Sequence, residues 1–249
     1  MQASSNPVFD PARAPLAAMP AGSPQQPLSD HRLQGEWIRQ RFLHPPSRWS
    51  LEAESNAERP TGGGLLDKGS PALIPAAVLV PLLPTPDGLQ VLLTVRSNRL
   101  RKHRGQIAFP GGRMDPDDQG SVQVTALREA QEEIGLQADR VSVLGTLPAM
   151  ATGTGYWVTP VVGLLDAALQ PGQLSLSADE VQEAFCVPLA FLMNPAHHQR
   201  QMGSWQQNGV TVHRSFHAMP WQAPSGASYF IWGATATILR NFYHFLAAD

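Results

Sequence analysis

The chain has 249 residues, 43% hydrophobic and 15% charged, with a formal net charge of −2. That allows one domain of common size with extensions, supplies enough apolar residues for a core, and excludes a general nucleic-acid binder. A single cysteine, Cys186, excludes an intramolecular disulfide, and no apolar run is long enough to span a membrane. The N-terminus lacks the charged-then-apolar order of a secretory leader, so a cytoplasmic protein is expected.

Residues 1–29 are rich in proline, alanine and serine without an apolar period. They read as a disordered or extended arm whose removal should cost little. From Asp30, read as a helix cap, Leu33, Trp37, Ile38 and Phe42 fall at helical spacing, and Pro45-Pro46 ends the element. A connector follows; its Gly62-Gly63-Gly64 is not a phosphate loop, because no Gly-Lys-Ser/Thr comes after it. Residues 30–74 are thus a helix and connector ahead of a main domain over 75–249. That domain opens on strands over 76–83 and 89–96, joined by the turn Thr85-Pro86-Asp87-Gly88.

The hairpin runs into a basic segment, Arg96, Arg99, Arg101, Lys102 and Arg104, five cations in nine residues. Such a cluster suits a polyanion, since arginine offers planar forks to phosphate oxygens; a solvated basic loop is the ordinary alternative. Residues 105–112 should be extended and end on Gly111-Gly112, where the backbone can approach a ligand or metal. A polar loop over 113–120 then leads to a helix over 121–134, closed by Gly135. On that helix Glu129, Glu132 and Glu133 fall within roughly a 100° arc, beside an apolar stripe of Leu127, Ala130 and Ile134. Like charges one turn apart destabilise a helix by about 0.2–0.5 kcal/mol per pair. An acidic face of this kind is either solvated or holds a hard divalent cation, Mg²⁺ or Mn²⁺.

Gly112, Arg128, Glu129, Glu132, Glu133, Gly135 and Leu136 match seven of the nine defined positions of the Nudix box, G-x5-E-x7-R-E-U-x-E-E-x-G-U with U aliphatic. Ala130 stands at the first aliphatic position. Asp118 replaces the early glutamate, and nine residues rather than seven separate it from Arg128, which leaves its role open. The segment Leu93-Thr94-x-Arg96-Ser97-x3-Arg101-x3-Gly105-x3-Phe109-Pro110-Gly111-Gly112 resembles the one that marks the coenzyme A pyrophosphatase branch of the Nudix hydrolases. The resemblance implies a mixed β-sheet sandwiched between helices, an α/β/α sandwich, over about residues 75–246. It implies cleavage of the diphosphate of coenzyme A and its derivatives to 3′,5′-ADP and 4′-phosphopantetheine or its acyl form. It also implies a metal held by Glu129, Glu132 and Glu133, with help from the Gly111 carbonyl. Arg128, Glu129, Glu132 and Glu180 would be catalytic, and Arg96, Arg101, Arg104, Gly111 and Gly112 would contact substrate.

Beyond the helix, strands are expected over 141–147 and 157–165, and a loop over 166–176. Acidic residues just ahead of a strand over 184–189 resemble the place where Nudix enzymes supply a carboxylate from outside the box, which makes Glu180 and Glu183 candidates. The general base stays open among Glu129, Glu180 and Glu183. Cys186 reads as a small buried hydrophobe in a strand, and His197-His198 with His213 and His217 make a poor metal set, since nothing completes it. A hairpin over 205–216 turns at Asn208-Gly209, and an apolar helix over 231–246 should cover the sheet. The partner is a small-molecule substrate, with no nucleic acid and no membrane; a homodimer is allowed. The alternatives are a hydrolase of another nucleoside diphosphate derivative, such as ADP-ribose, and a non-catalytic nucleotide-binding module. Against the latter stand all three box glutamates.

Overall fold

The structure, a computed structural model, describes residues 9–20, 23, 26–49, 51, 73–100, 103–167, 169, 171–207 and 210–249. In chain order the strands and helices are β1 (Leu16–Ala17), α1 (Gly35–Leu43), β2 (Ile74–Thr85), β3 (Gly88–Arg96), β4 (Ile107–Ala108), β5 (Gly111–Arg113), α2 (Val122–Ile134) and β6 (Val141–Thr146). They continue with β7 (Met150–Ala151), β8 (Tyr156–Leu165), β9 (Val181–Pro188), α3 (Leu189–Leu192), β10 (Gln199–Gln207), β11 (Val210–Gln222), β12 (Ser228–Trp232) and α4 (Gly233–Ala247).

β2 is a near-continuous apolar run, the pattern of a strand covered on both faces, and it is central in an eight-stranded mixed sheet. It lies parallel to β8 on one side. On the other it pairs antiparallel first with β5, through Ala76–Val78, and then with β3, through Leu82–Thr85. Pro81 falls in the gap between the two. Backbone nitrogens two residues apart point the same way, and that of Leu79 donates to Pro110 O on the β5 side. The nitrogen of Pro81 therefore faces the gap, where no ladder bond is lost. β4 and β9 pair with β3, and β6 and β7 with β8.

α2 covers one face of this sheet, packing Ala126, Ala130 and Ile134 into one core with Ala77, Leu79, Leu92 and Val161. On the other face Val80, Leu82, Leu93 and Val162 share a core with Ile38 of α1 and with Leu239 and Phe242 of α4. The result is the expected sandwich. α1 is nonetheless part of the main core, since Ile38 is fully buried and Phe42 lies 4.6 Å from Phe245 between ring centroids. The expected helix from Asp30 is broken: a 3₁₀ turn over Asp30–Leu33 ends at Gln34, whose ψ of 140° is extended, and α1 starts after it.

A second sheet, antiparallel with order β1-β10-β11-β12, has no counterpart in the sequence reading beyond one hairpin. That hairpin runs from Gln199 to Gln222, and its turn at 208–209 lies outside the described residues. α4 packs against β11 and β12 as well as against the main core, which explains a helix buried on nearly every side. It begins two residues later than its apolar period suggests. Ile231 and Trp232 complete β12, and Gly233, at φ 61°, turns the chain into the helix.

Of the N-terminal arm, the described part is draped on the domain. β1 pairs with β10, Phe9 packs edge-on against Phe216 and Trp232, and the Tyr243 hydroxyl donates to Gln26 O at 2.7 Å. Arg32 and Arg41 donate to the last carbonyls of α4, which have no partner within the helix. Residues 52–72, with Gly62-Gly63-Gly64, lie outside the described residues.

Candidate active site

The acidic helix is built as its pattern requires. The Ser121 hydroxyl accepts from Val124 N at 3.3 Å, and Gly135, at φ 69°, closes the other end. With Ala126, Ala130 and Ile134 turned to the sheet, Glu129 and Glu133 lie against the glycine pair of β5. Glu133 Oε2 accepts from Gly111 N at 3.2 Å. A Cβ on Gly112 would sit 2.5 Å from Glu129 Oε2, so this glycine is the space that the carboxylate occupies. A Cβ on Gly111 would instead meet backbone, 2.5 Å from Ala77 O.

Asp118, whose part the sequence left open, is the buried anchor of the site. Arg128 grips it with two parallel bonds, Nε to Oδ1 at 2.9 Å and Nη2 to Oδ2 at 3.0 Å. The Thr125 hydroxyl and Asp115 N each donate to Asp118 Oδ2 at 2.8 Å. The Arg128 bonds above all hold the Asp118 carboxyl well below the usual carboxylate range. The longer spacing to Arg128 is absorbed by Gln119 and Gly120, both at positive φ, ahead of α2. The same guanidinium reaches Glu129 Oε1 at 2.9 Å and Glu132 Oε2 at 3.1 Å. Arg128 thus ties the buried anchor to two box carboxylates.

Glu133 is 5% exposed, and burial pushes its carboxyl up to about 7 against the pull of Arg96, whose Nη1 lies 3.6 Å from Oε1. Burial also raises Glu129, with Arg128 opposing. Glu180 is exposed, on a turn tied to the end of this helix: Ser177 N donates to Glu133 O and Glu180 N to Ser177 O, both at 2.9 Å. Among the described residues no three acidic, histidine or cysteine side chains form a ready-made metal cage. The physical reason is Arg128, which draws Glu129 and Glu132 to itself, with Glu132 facing solvent. The donor set still fits a hard cation. Mg²⁺ needs only one or two carboxylates besides water and phosphate oxygens, and Glu133 is a buried carboxylate whose charged form burial disfavours and added positive charge would favour.

The two acids outside the box part company. β9 carries one extra residue opposite Val95 and Arg96, and such a bulge re-aims the side chains that follow. Val181 lies in the core under α2, whereas Glu183 faces away and accepts from the Tyr229 hydroxyl at 2.5 Å. Of the candidate bases, Glu183 is thereby separated from the acidic helix. In the basic segment Arg96 joins the site; Arg104 Nε donates to Leu100 O, and Arg99 pairs with Asp179 at 2.9 Å. Arg101 and Lys102 lie outside the described residues. Burial pushes the Cys186 thiol up to about 11, so it is no nucleophile. His198 is occupied by Leu192 O and Arg240, and His197 by Phe191 O.

The sequence reading missed Thr125 and Asp115 as partners of Asp118. The signal was the acid at the motif's early position, since an acid buried there needs donors.

Residues 73–206 match the NUDIX domain. The chain is 41% identical over 167 residues to an uncharacterized Nudix hydrolase, NudL, of Yersinia pestis, and equally to that of Yersinia pseudotuberculosis. Each alignment covers 67% of this chain and 76% of the relative. Among solved structures it is similar to RenU, a Nudix hydrolase from M. smegmatis, at 23% identity and a TM-score of 0.40, covering 57% of this chain and 80% of that one. It is also similar to the NUDIX domain of Shewanella oneidensis NrtR complexed with ADP ribose, at 23% identity and a TM-score of 0.38, covering 51% and 79%.

Proposed function

The chain belongs to the Nudix hydrolase family, the pyrophosphohydrolases of nucleoside diphosphate derivatives, and from that premise we propose that its substrate is coenzyme A or a coenzyme A derivative. The products would be 3′,5′-ADP and 4′-phosphopantetheine or its acyl form. One observation carries this reading: the basic segment leads through residues 105–110 to Gly111-Gly112, and its first arginine, Arg96, lies 3.6 Å from Glu133. Coenzyme A has a 3′-phosphate besides its diphosphate, and so presents more anion than a simple diphosphatase site needs to meet.

Nudix hydrolases generally use divalent metal ions; here Glu129 and Glu133 would hold Mg²⁺ or Mn²⁺, with Glu132 and the Gly111 carbonyl as further donors. Bound there, the ion neutralises the diphosphate and makes a water a stronger nucleophile. The protein's own part is positioning and charge. Asp118 fixes Arg128, and Arg128 fixes Glu129 and steadies Glu132. Arg96, beside Glu133, would offer its guanidinium to a phosphate oxygen, joined by Arg104 and Arg101 for the 3′-phosphate. Glu180, exposed on the turn tied to the end of α2, takes the proton of the attacking water. The new P–O bond would form from that water as the bridging P–O bond breaks, and 3′,5′-ADP and 4′-phosphopantetheine would leave, each ending in a phosphate monoester where the diphosphate was cut.

Mass spectrometry of the products formed from coenzyme A, dephospho-coenzyme A, ADP-ribose and diadenosine polyphosphates tests the reading. Coenzyme A should be cleaved with the highest kcat/KM, and to 3′,5′-ADP. Preference for ADP-ribose or a dinucleotide would replace coenzyme A as the substrate.

A further inference from the structure

Resting on the reading of Glu180 as the base, we infer that Ser97 is a positioning residue that fixes Glu180 beside the acidic helix and links it to the basic segment. Ser97 stands where β3 passes into that segment, and it is 4% exposed. Its N–H donates to Glu180 O at 2.8 Å, and its hydroxyl donates to Ala178 O at 3.1 Å. The hydroxyl also accepts from Arg99 N at 3.3 Å, and the Ser97 carbonyl from Leu100 N at 3.2 Å. Two of its bonds thus hold the turn that carries Glu180, and two hold the first residues of the basic segment. Buried and bonded through every polar atom, Ser97 has no group left for substrate.

The turn is anchored on its far side by α2. Ser177 N donates to Glu133 O at 2.9 Å, Ser175 N to Ile134 O at 3.1 Å, and Glu180 N back to Ser177 O at 2.9 Å. Residues 177–180 therefore bridge the end of the acidic helix and the start of the basic segment, with Glu180 at the junction. Two exposed contacts cross the same seam, Asn98 Nδ2 to Gln182 Oε1 at 2.9 Å and Arg99 to Asp179 at 2.9 Å. Exposed pairs of that kind contribute little, so the buried hydroxyl is the main tie. Through it, the start of the segment proposed to meet phosphate is tied to the turn that carries the base.

The test is a double-mutant cycle on steady-state hydrolysis of coenzyme A. Glu180→Gln should lower kcat by a factor on the order of 10². Ser97→Ala should lower kcat roughly 3- to 10-fold, what one hydrogen bond is worth, with KM unchanged. Because Ser97 acts through Glu180, adding Ser97→Ala to Glu180→Gln should cost nothing further. Losses that multiply, or a change confined to KM, would overturn the inference while leaving the substrate reading intact. If Ser97→Ala does not fold, Ser97→Cys, close in shape but a much weaker donor to Ala178 O, replaces it in the cycle. A smaller fall in kcat that disappears in Glu180→Gln supports the link, and wild-type kcat refutes it. Wild-type turnover in Glu180→Gln alone sinks the base assignment and this inference with it. Should another nucleoside diphosphate derivative prove to be the substrate, the same cycle run on it decides the point separately.

Discussion

Glu133 shows how one residue can trade stability for function. Its carboxylate is buried against Gly111 N and Arg96, and burial raises its pKa to about 7, above the ordinary 4.5 of a glutamate. A carboxyl raised in the folded state favours the protonated form. Its contribution to stability is complete below about pH 4.5 and is lost as the pH rises through about 7. Glu133→Gln keeps the shape and removes the charge. After chelator treatment it should melt higher than wild type at pH 8, with the difference gone at pH 4, and with divalent ion present its turnover should fall by orders of magnitude. Wild-type turnover with Mg²⁺ or Mn²⁺ would remove Glu133 from the metal set. Asp118 has the opposite sign. Its carboxyl is depressed, so it stabilises the fold above the ordinary carboxylate range, and that contribution disappears as the pH falls below it. Asp118→Asn should cost roughly 1.5–3 kcal/mol, the worth of charged hydrogen bonds, read as a lower urea midpoint at pH 7.

At the scale of elements, the working unit is the contact between α2 and β5. The two adjacent glycines of β5 have different duties there. Gly112 faces the mobile end of a side chain, the Glu129 carboxylate, whereas Gly111 faces the backbone of β2. Gly112→Ala should therefore fold with a near-normal melting temperature but lose kcat, because Glu129 must swing out of place. Gly111→Ala should lose stability itself, since neither Ala77 O nor Val78 Cα can move without shifting a central strand. Circular-dichroism melts alongside kcat separate the two outcomes, and equal behaviour of the two variants would contradict this division. The bulge in β9 is a second device at this scale. One extra residue turns Glu183 to Tyr229, while Glu180 stays on the turn before it, which Ser177 N bonds to Glu133 O at the end of α2.

Across the whole molecule, the N-terminal arm, α1 and the second sheet enclose α4. Because β1 extends that sheet and Phe9 packs on Phe216 and Trp232, removal of residues 1–20 should lower the melting temperature. An unchanged melt would restore the sequence expectation that the arm is dispensable. The sequence does not announce that packing, for a physical reason: a two-residue strand has no periodicity of its own, and its bonds go to a partner far away in the chain. The acidic helix was legible because its cap, its apolar stripe, its glutamates and Gly135 all lie within one stretch of sequence and repeat at the helical period. The glycine pair and the basic segment were legible by type and order. Contacts that no period encodes decided the rest. The loop and first turns of α2 gave Asp118 its donors within ten residues of it, while pairing between distant strands sent Glu183 to Tyr229, joined Ser97 to Glu180, and carried the strand through Trp232 before α4 begins. The period of a sequence reports which face of an element is apolar, whereas the partner of a polar group is set by whatever the folded chain brings within about 3 Å of it.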